Sequence, residues 1–326
     1  MCSSEWGTYA YFSVLTEDTL IIPNLLQNNL EIMRIVVDKS DNNVPHLIPL
    51  CTLNLPPLAK HTSIICLRCR AEPNLTSSAH NPLLVLAPTT CPFHDTTAEA
   101  IMLFNLLIKY MNIHAVQFFH VTRPFTFIVH RHTLLSHTPH SQWACTPFHS
   151  VLGKAPMTVL WSAWGVPIMR WFESDQASIQ WITTTAGQRA VTMEDRSPTP
   201  IIVHDFNLYA VRAALVCEAS QGQTQECKKS QVLPNGNRQT IKVEEDVIPA
   251  GSVFREDVWS ALPYIETMTQ TRYGYEGVLI DEERILGLVV RLLPFLCPHV
   301  LMRQYVLQTS KDDKIEICSF DVHILG

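Results

Sequence analysis

Pro234-Asn235-Gly236-Asn237-Arg238-Gln239-Thr240-Ile241-Lys242-Val243-Glu244 sets a compact turn directly before an alternating run. Asn-Gly tolerates the positive φ that tight hairpins demand. In the run that follows, Ile241 and Val243 fall on one face, the pattern of a half-solvated antiparallel strand. The same grammar recurs along the chain. Thr8–Leu15, Asn29–Val37, Leu47–Leu55, Ser63–Arg70, Phe125–Arg131, Met157–Trp161, Pro200–Phe206 and Gln239–Glu244 are short runs rich in Val, Ile, Thr, Phe and Tyr, and turn residues bound most of them. Gly277–Ile280, Asp281–Glu283 and Arg284–Gly287 read as strand, acidic turn and strand.

Proline at 45, 49, 56, 57, 73, 82, 88 and 92 leaves little room for long helices in the first hundred residues. Only Thr96–Met111 has the length of a useful helix, and the same apolar block suits a buried strand equally well. Many short strands with these spacings point to an all-β chain, either a propeller or a large sandwich or barrel. No repeat of fixed period and no Gly-His…Trp-Asp signature is present, so propeller blades would have to be divergent. We expect one β-rich domain over 1–326, with Ser220–Asn237, polar and Gln-rich, as an exposed loop.

Composition narrows the function classes. The 326 residues are 17% charged and 47% hydrophobic, which excludes a chain disordered throughout. A net charge of −6 gives no electrostatic footprint for a phosphate backbone, so nucleic acid is not an expected partner. The first ten residues lack the basic and apolar regions of a secretory leader. Ala100–Ile108 and Ile285–Leu301 are too short or too interrupted for a membrane span. The expected address is cytoplasmic or nuclear, away from membranes. Its ten cysteines would then be reduced and the Asn74-Leu75-Thr76 sequon unused.

Chemistry-bearing clusters are few. Cys66-x2-Cys69 followed by Cys91-x2-His94 has zinc-ribbon spacing. An offset of three along an apparent strand, however, puts Cys66 and Cys69 on opposite faces, which favours two core cysteines. His114, His120, His130, His132, His137, His140 and His149 form a histidine-rich stretch with no Asp or Glu inside it to orient metal ligands. No nucleophile elbow, zinc-protease helix motif or phosphate-binding glycine loop occurs, and 11 glycines are spread thinly. His204 and Asp205 are adjacent on a strand, so their side chains diverge, and Asp281–Glu283 reads as a solvated turn. The reading is not an enzyme, with no catalytic, metal or cofactor residues and no cofactor.

Aromatic density carries more weight. Trp161-Ser-Ala-Trp164-Gly-Val-Pro167-Ile-Met-Arg170-Trp171-Phe172 packs three tryptophans into eleven residues, with Trp181 and Gly187-Gln188-Arg189 following. Tryptophan with arginine is typical of binding hot spots, and Arg170 has the chemistry to stack on an indole. Indoles also fill the space between sheets. Trp161, Trp164, Arg170 and Trp171 are therefore the candidate protein-interaction residues, with core packing as the alternative.

This block, continued by Trp181-Ile-Thr-Thr-Thr-Ala-Gly-Gln-Arg189, resembles the large mushroom-type fungal family of F-box domain-containing proteins. Three further stretches fit in order. Phe12-Ser-Val-Leu-Thr-Glu-Asp-Thr-Leu20 with Pro23-Asn-Leu resembles the family's first strand pair. Cys69-Arg-Ala-Glu-Pro-Asn74 and Phe125–Arg131 resemble recurrent strands. Ser260-Ala-Leu-Pro-Tyr264 with Tyr275-Glu-Gly-Val-Leu-Ile-Asp-Glu-Glu-Arg-Ile-Leu-Gly287 resembles the C-terminal hairpin.

The resemblance implies a WD-repeat-like propeller region that presents a substrate protein, without catalysis. The F-box segment that precedes this region in the family is absent from the sequence. A ubiquitin-ligase adaptor is thus implied as a partner only if an F-box lies upstream. Val289–Gln308 also departs from the family. With two prolines and only two charged residues in twenty, it reads as a non-family insertion, such as a translated intron that sequencing of the transcript would expose. The alternatives are a truncated or mis-spliced remnant without a partner and, from another class, a metal-dependent enzyme using the cysteine or histidine cluster.

Overall fold

In the computed structural model the short alternating runs become strands, and the described residues are 11–38, 44–71, 99–112, 119–137, 156–173, 184–194, 198–220, 230–275, 277–280, 285–292, 303–311 and 314–322. The chain begins with β1 (Ser13–Thr16), β2 (Thr19–Asn24), β3 (Asn29–Asp38), β4 (Val44–Asn54), β5 (Ser63–Ala71), β6 (Ile101–Asn112) and β7 (Phe119–His130). There follow α1 (Arg131–Ser136), β8 (Met157–Val159), α2 (Trp161–Trp164) and β9 (Met169–Glu173). Next come β10 (Thr185–Ala186), β11 (Arg189–Met193), β12 (Thr199–Asp205), α3 (Leu208–Ser220), β13 (Ser230–Val232) and β14 (Arg238–Lys242). The last strands are β15 (Asp246–Ile248), β16 (Val258–Ser260), β17 (Tyr264–Tyr273), β18 (Gly277–Ile280), β19 (Ile285–Leu292), β20 (Arg303–Lys311) and β21 (Lys314–Val322). The class is all-β. The sheets among the described residues are separate and open rather than closed on themselves.

Where the sequence suggested one domain, the contacts resolve two compact units. Unit 1 comprises 1–173 and 244–262; unit 2 comprises 174–243 and 263–326. In unit 1, β1-β2-β3-β4 is an antiparallel meander extended by β8, which runs parallel to β4. A second sheet has the order β5-β6-β7-β9, and β15 with β16 forms a two-stranded ribbon. Pro49 has no N–H to give the ladder, and the β3–β4 register slips beside it, between Ile32 and Met33.

One face of each unit 1 sheet is apolar, and together these faces make the core. Leu15, Ile21, Leu30, Ile32 and Leu53 come from the first sheet; Leu67, Phe104, Leu106, Phe125, Phe127 and Trp171 come from the second. The block at Thr96–Met111 that suited helix or strand equally is strand β6. Its residues are apolar at nearly every position, as in a strand covered on both faces, and Ile101–Leu106 are all buried.

Unit 2 contains the six-stranded sheet β10-β11-β12-β17-β14-β13 and the four-stranded meander β18-β19-β20-β21. The opening turn closes as read. Gly236 sits at φ +82°, and Leu233 N donates to the Asn237 carbonyl across the β13–β14 hairpin. The expected loop over 220–237 is therefore part hairpin, since Ser230–Val232 pairs with β14, while 221–229 lie outside the described residues. Both ends of the segment 289–308 lie in strands, and Val289 pairs with Val306 in the β19–β20 ladder.

The longest helix among the described residues is α3, which the strand-dominated reading missed. Its signal was there. Asn207 caps it, its side-chain oxygen accepting from Tyr209 N and Ala210 N at 2.9 and 3.2 Å, and alanines at 210, 213 and 214 favour helix. No helix among the described residues is long and apolar enough to cross a membrane.

Candidate functional site

Trp161 and Trp164 stand three residues apart on the single turn of α2, so both indoles leave the same side of it. The backbone then passes under the Trp161 ring at Gly165, where any Cβ would overlap the six-membered ring. Pro167 starts a 3-10 turn at Val166–Ile168 that delivers the chain into β9. Alternation along β9 sends Met169 and Trp171 to one face and Arg170 to the other.

The three indoles face the core. Trp161 meets Trp164 and Trp171 edge-on at centroid distances of 5.7 and 6.0 Å. Trp171 lies against Phe127 at 4.8 Å and edge-on to Phe254 at 5.8 Å, and Phe127 stacks on Phe104 at 4.5 Å. Trp164 Nε1 donates to the Asn54 carbonyl at 2.8 Å. Edge-to-face pairs of this kind add to the burial of large rings. Of the two roles open to Trp161, Trp164 and Trp171, the structure places them in the interior, so a partner would be met by other residues.

Arg170 is bonded to main-chain carbonyls and to a carboxylate. It is fully buried on the opposite face of β9 and is spent on the 244–262 segment. Its Nε donates to the Leu262 carbonyl at 2.9 Å and its Nη2 to the Glu244 carbonyl at 3.0 Å; its Nη1 pairs with Asp246 at 2.5 Å. Ala261 N and Leu262 N both donate to the Met169 carbonyl, so β9 and its arginine hold the segment at entry and exit.

Between those points the segment folds onto unit 1. Val253 and Phe254 enter the core, Phe254 bridges Leu58, and Ala59 N and Arg255 N bond to the Val253 and Pro57 carbonyls. The ribbon β15–β16 closes with Val247 opposite Trp259, and Ala250 N caps onto Asp257 Oδ1 at 2.7 Å. Val258 and Ser260 point inward, whereas Val247 and Trp259 remain 44% and 42% exposed. This outward face was not singled out from the sequence. Its signal was the alternation Glu245, Val247, Pro249 against Asp257, Trp259, Ala261.

Elsewhere, several reactive side chains are absorbed by structure, while the Cys217 thiol is exposed on α3. Burial pushes the Cys51 thiol up to about 12 and raises Cys69 further, despite a hydrogen bond with Ser13. Cys69 lies in the core, Cys66 is half-buried, and Cys91 and His94 fall outside the described residues. His130 ends β7 and His132 lies on α1, and their rings stay together, tilted at a centroid distance of 5.4 Å; His130 Nδ1 contacts the Glu99 carbonyl at 2.9 Å, and His132 is exposed. His137 lies beside Trp164, and burial lowers its pKa.

In unit 2, His204 packs against Tyr264 at 5.3 Å and Phe206 at 6.5 Å with Nε2 on Thr192 Oγ1 at 3.1 Å, and burial lowers its pKa to about 4. Asp205 turns away to accept from Asn207 N. Residues 281–283 and Trp181 are outside the described set. Among the described residues no three His, Cys, Asp or Glu side chains converge as a metal site. Comparison of the chain with family models, with curated proteins and with solved structures returns no match.

Proposed function

We propose that the chain is a non-catalytic protein-interaction module, propeller-like in organisation and similar to the substrate-presenting region of fungal F-box proteins. The observation that carries this reading is the way successive strands pair. β1-β2-β3-β4 and β18-β19-β20-β21 are four-stranded antiparallel meanders, and β5-β6-β7-β9 repeats the pattern with one excursion. Such meanders are the blade units from which propellers are assembled. The stretches carrying the family resemblance coincide with these units: Phe12–Leu20 falls on β1–β2 and Tyr275–Gly287 on β18–β19.

The disposition of reactive groups supports the same reading. Arg170, His130 and His204 are committed to backbone carbonyls, an ion pair or ring packing, and the Cys51 and Cys69 thiols are held protonated. Large apolar side chains, including Phe12, Leu26, Tyr209 and Trp259, are meanwhile left in contact with solvent. Exposed apolar groups of this size mark interaction surfaces when they are contiguous.

The test is capture of partners by the full chain after in-cell crosslinking in the native organism, paired with metal analysis of the purified protein. Reproducible stoichiometric recovery of one protein is expected, and ubiquitin-ligase components among the recovered proteins would point to an F-box upstream. Stoichiometric zinc, or no protein partner under crosslinking, would overturn the reading.

A further inference from the structure

The outward face of the β15–β16 ribbon has the chemistry of a recognition surface. Alternation fixes which side chains share it. Asp246 turns toward Arg170, and Ile248, Val258 and Ser260 pack inward. Val247 and Trp259, directly opposite each other, therefore stand outward, and exposed Glu245, Pro249 and Asp257 adjoin the strand ends. A solvated ribbon face is ordinarily polar. Here its centre is a directly cross-paired valine and tryptophan, and a carboxylate residue stands two positions before each.

Charge says what would cover it. Residues 244–262 hold five carboxylates (Glu244, Glu245, Asp246, Glu256, Asp257) against one arginine, Arg255, and so carry four of the chain's six net negative charges. Asp246 is neutralised from below by Arg170, and among the described residues Arg255 pairs with Glu256, at 4.0 Å. Glu245 and Asp257, both exposed, stand two residues before Val247 and Trp259 respectively. Asp257 uses one oxygen to cap the ribbon turn and remains exposed.

An exposed indole between carboxylates suits a cation that lays its apolar stem on Val247 and its charged head over the ring. Tryptophan is also among the residues that dominate interface energetics. A second copy of this chain would set acidic ribbon against acidic ribbon, which like-charge repulsion disfavours.

We propose that this face docks a Lys- or Arg-bearing segment of a protein partner, with Trp259 and Val247 as the apolar anchor and Glu245 and Asp257 as the charge contacts. The proposal rests on the interaction-module reading and names where that module meets its partner. It also moves the contact away from the buried Trp161–Trp171 block. The ribbon is held by Arg170 and by the Phe254 plug, so the platform exists before a partner arrives, which lowers the ordering cost of binding.

The test uses the full chain with indole-¹⁵N tryptophan and three synthetic peptides of equal length: one alternating Lys/Arg with Leu, one alternating Glu with Leu, and a Gly–Ser control. The resonance lost in Trp259→Ser assigns Trp259. The basic peptide is expected to move that resonance, with binding weakened at least about tenfold by Trp259→Ser. Glu245→Gln with Asp257→Asn should weaken binding several-fold and flatten its salt dependence, and asparagine keeps the Ala250 cap.

Equal response to the acidic peptide, or unchanged affinity in Trp259→Ser, overturns the proposal. So does movement of the resonance with protein concentration alone, accompanied by a dimer in sedimentation. The module reading is judged separately. A crosslinked partner retained equally by wild type and Trp259→Ser leaves that reading standing and removes the ribbon from it.

Discussion

Two tryptophan surfaces lie within unit 1, and they behave in opposite ways. The Trp161–Trp171 block is dense, conspicuous in the sequence and turned inward. The β15–β16 ribbon carries a single indole, is easily passed over, and keeps that indole in water. Local sequence does not separate them. What covers each surface comes from elsewhere in the chain: Asn54 and Phe254 close over the block, whereas the ribbon spends its inner face on the core and leaves its outer face bare. Density of aromatic residues is thus a sign of burial as readily as of binding, and alternation against a known inner face is the better guide.

The largest effect is expected at the block. Trp164→Ala removes a buried indole and strips the Asn54 carbonyl of its donor. It should cost about 4 kcal/mol, from the cavity and the orphaned acceptor together, and appear as a lower urea midpoint for unit 1. A cost below about 1 kcal/mol would mean that the indole is not in the core, and the contrast with Trp259 would collapse.

The comparison extends to the core of unit 2, where one ring of an aromatic stack can titrate. His204 has a folded pKa of about 4 against an ordinary 6.5, because burial disfavours its charged form. Between these values the unfolded chain binds a proton that the folded chain does not, so stability falls as pH drops through 6.5 toward 4 and is fully present above 6.5. The loss by pH 4 is on the order of 3 kcal/mol. His204→Phe should flatten the acid limb of urea midpoint against pH relative to wild type. Parallel profiles for the two proteins would show that His204 is solvated.

Arg170 links the two tryptophan surfaces, with Trp171 beside it in the block and the ribbon's ends in its grip. Arg170→Met leaves the Leu262 and Glu244 carbonyls without their donors. Asp246, whose side chain is 63% exposed, returns to water at little cost. The expected destabilisation is about 2 kcal/mol, from two orphaned acceptors rather than from a stranded charge. It should be accompanied by faster amide exchange across 244–262. Global destabilisation with unchanged exchange there would deny the arginine its role as the clamp.

The strands were legible because period-two alternation and turn chemistry are local. Asn235-Gly236 forecast the hairpin, and most of the runs from Asn29 to Glu244 lie on observed strands. The direction in which Trp161, Trp164 and Trp171 face was not legible, since it depends on packing against residues as distant as Asn54 and Phe254. Nor were the acceptors of Arg170, three positions 74 to 92 residues downstream. Helix α3 was missed for another reason: the segment between the Pro200–Phe206 run and the expected loop was given no reading, and its signal lies in the Asn207 cap.

The smallest stability effect is expected at Trp259, and it is the one that separates the two surfaces most sharply. Replacing an exposed side chain that makes no buried hydrogen bond ordinarily changes stability by less than about 0.5 kcal/mol. Trp259→Ser keeps the ribbon's ladder, because the Val247 and Trp259 backbones pair through main-chain groups. It also leaves Val258 and Ser260 packed inward. Its urea midpoint should match wild type within error, while Trp164→Ala in the same unit is severely destabilised. A protein that tolerates the loss of an indole without cost is not using it to fold. Destabilisation of Trp259→Ser approaching that of Trp164→Ala would instead make both surfaces core, and the distinction between them would end there.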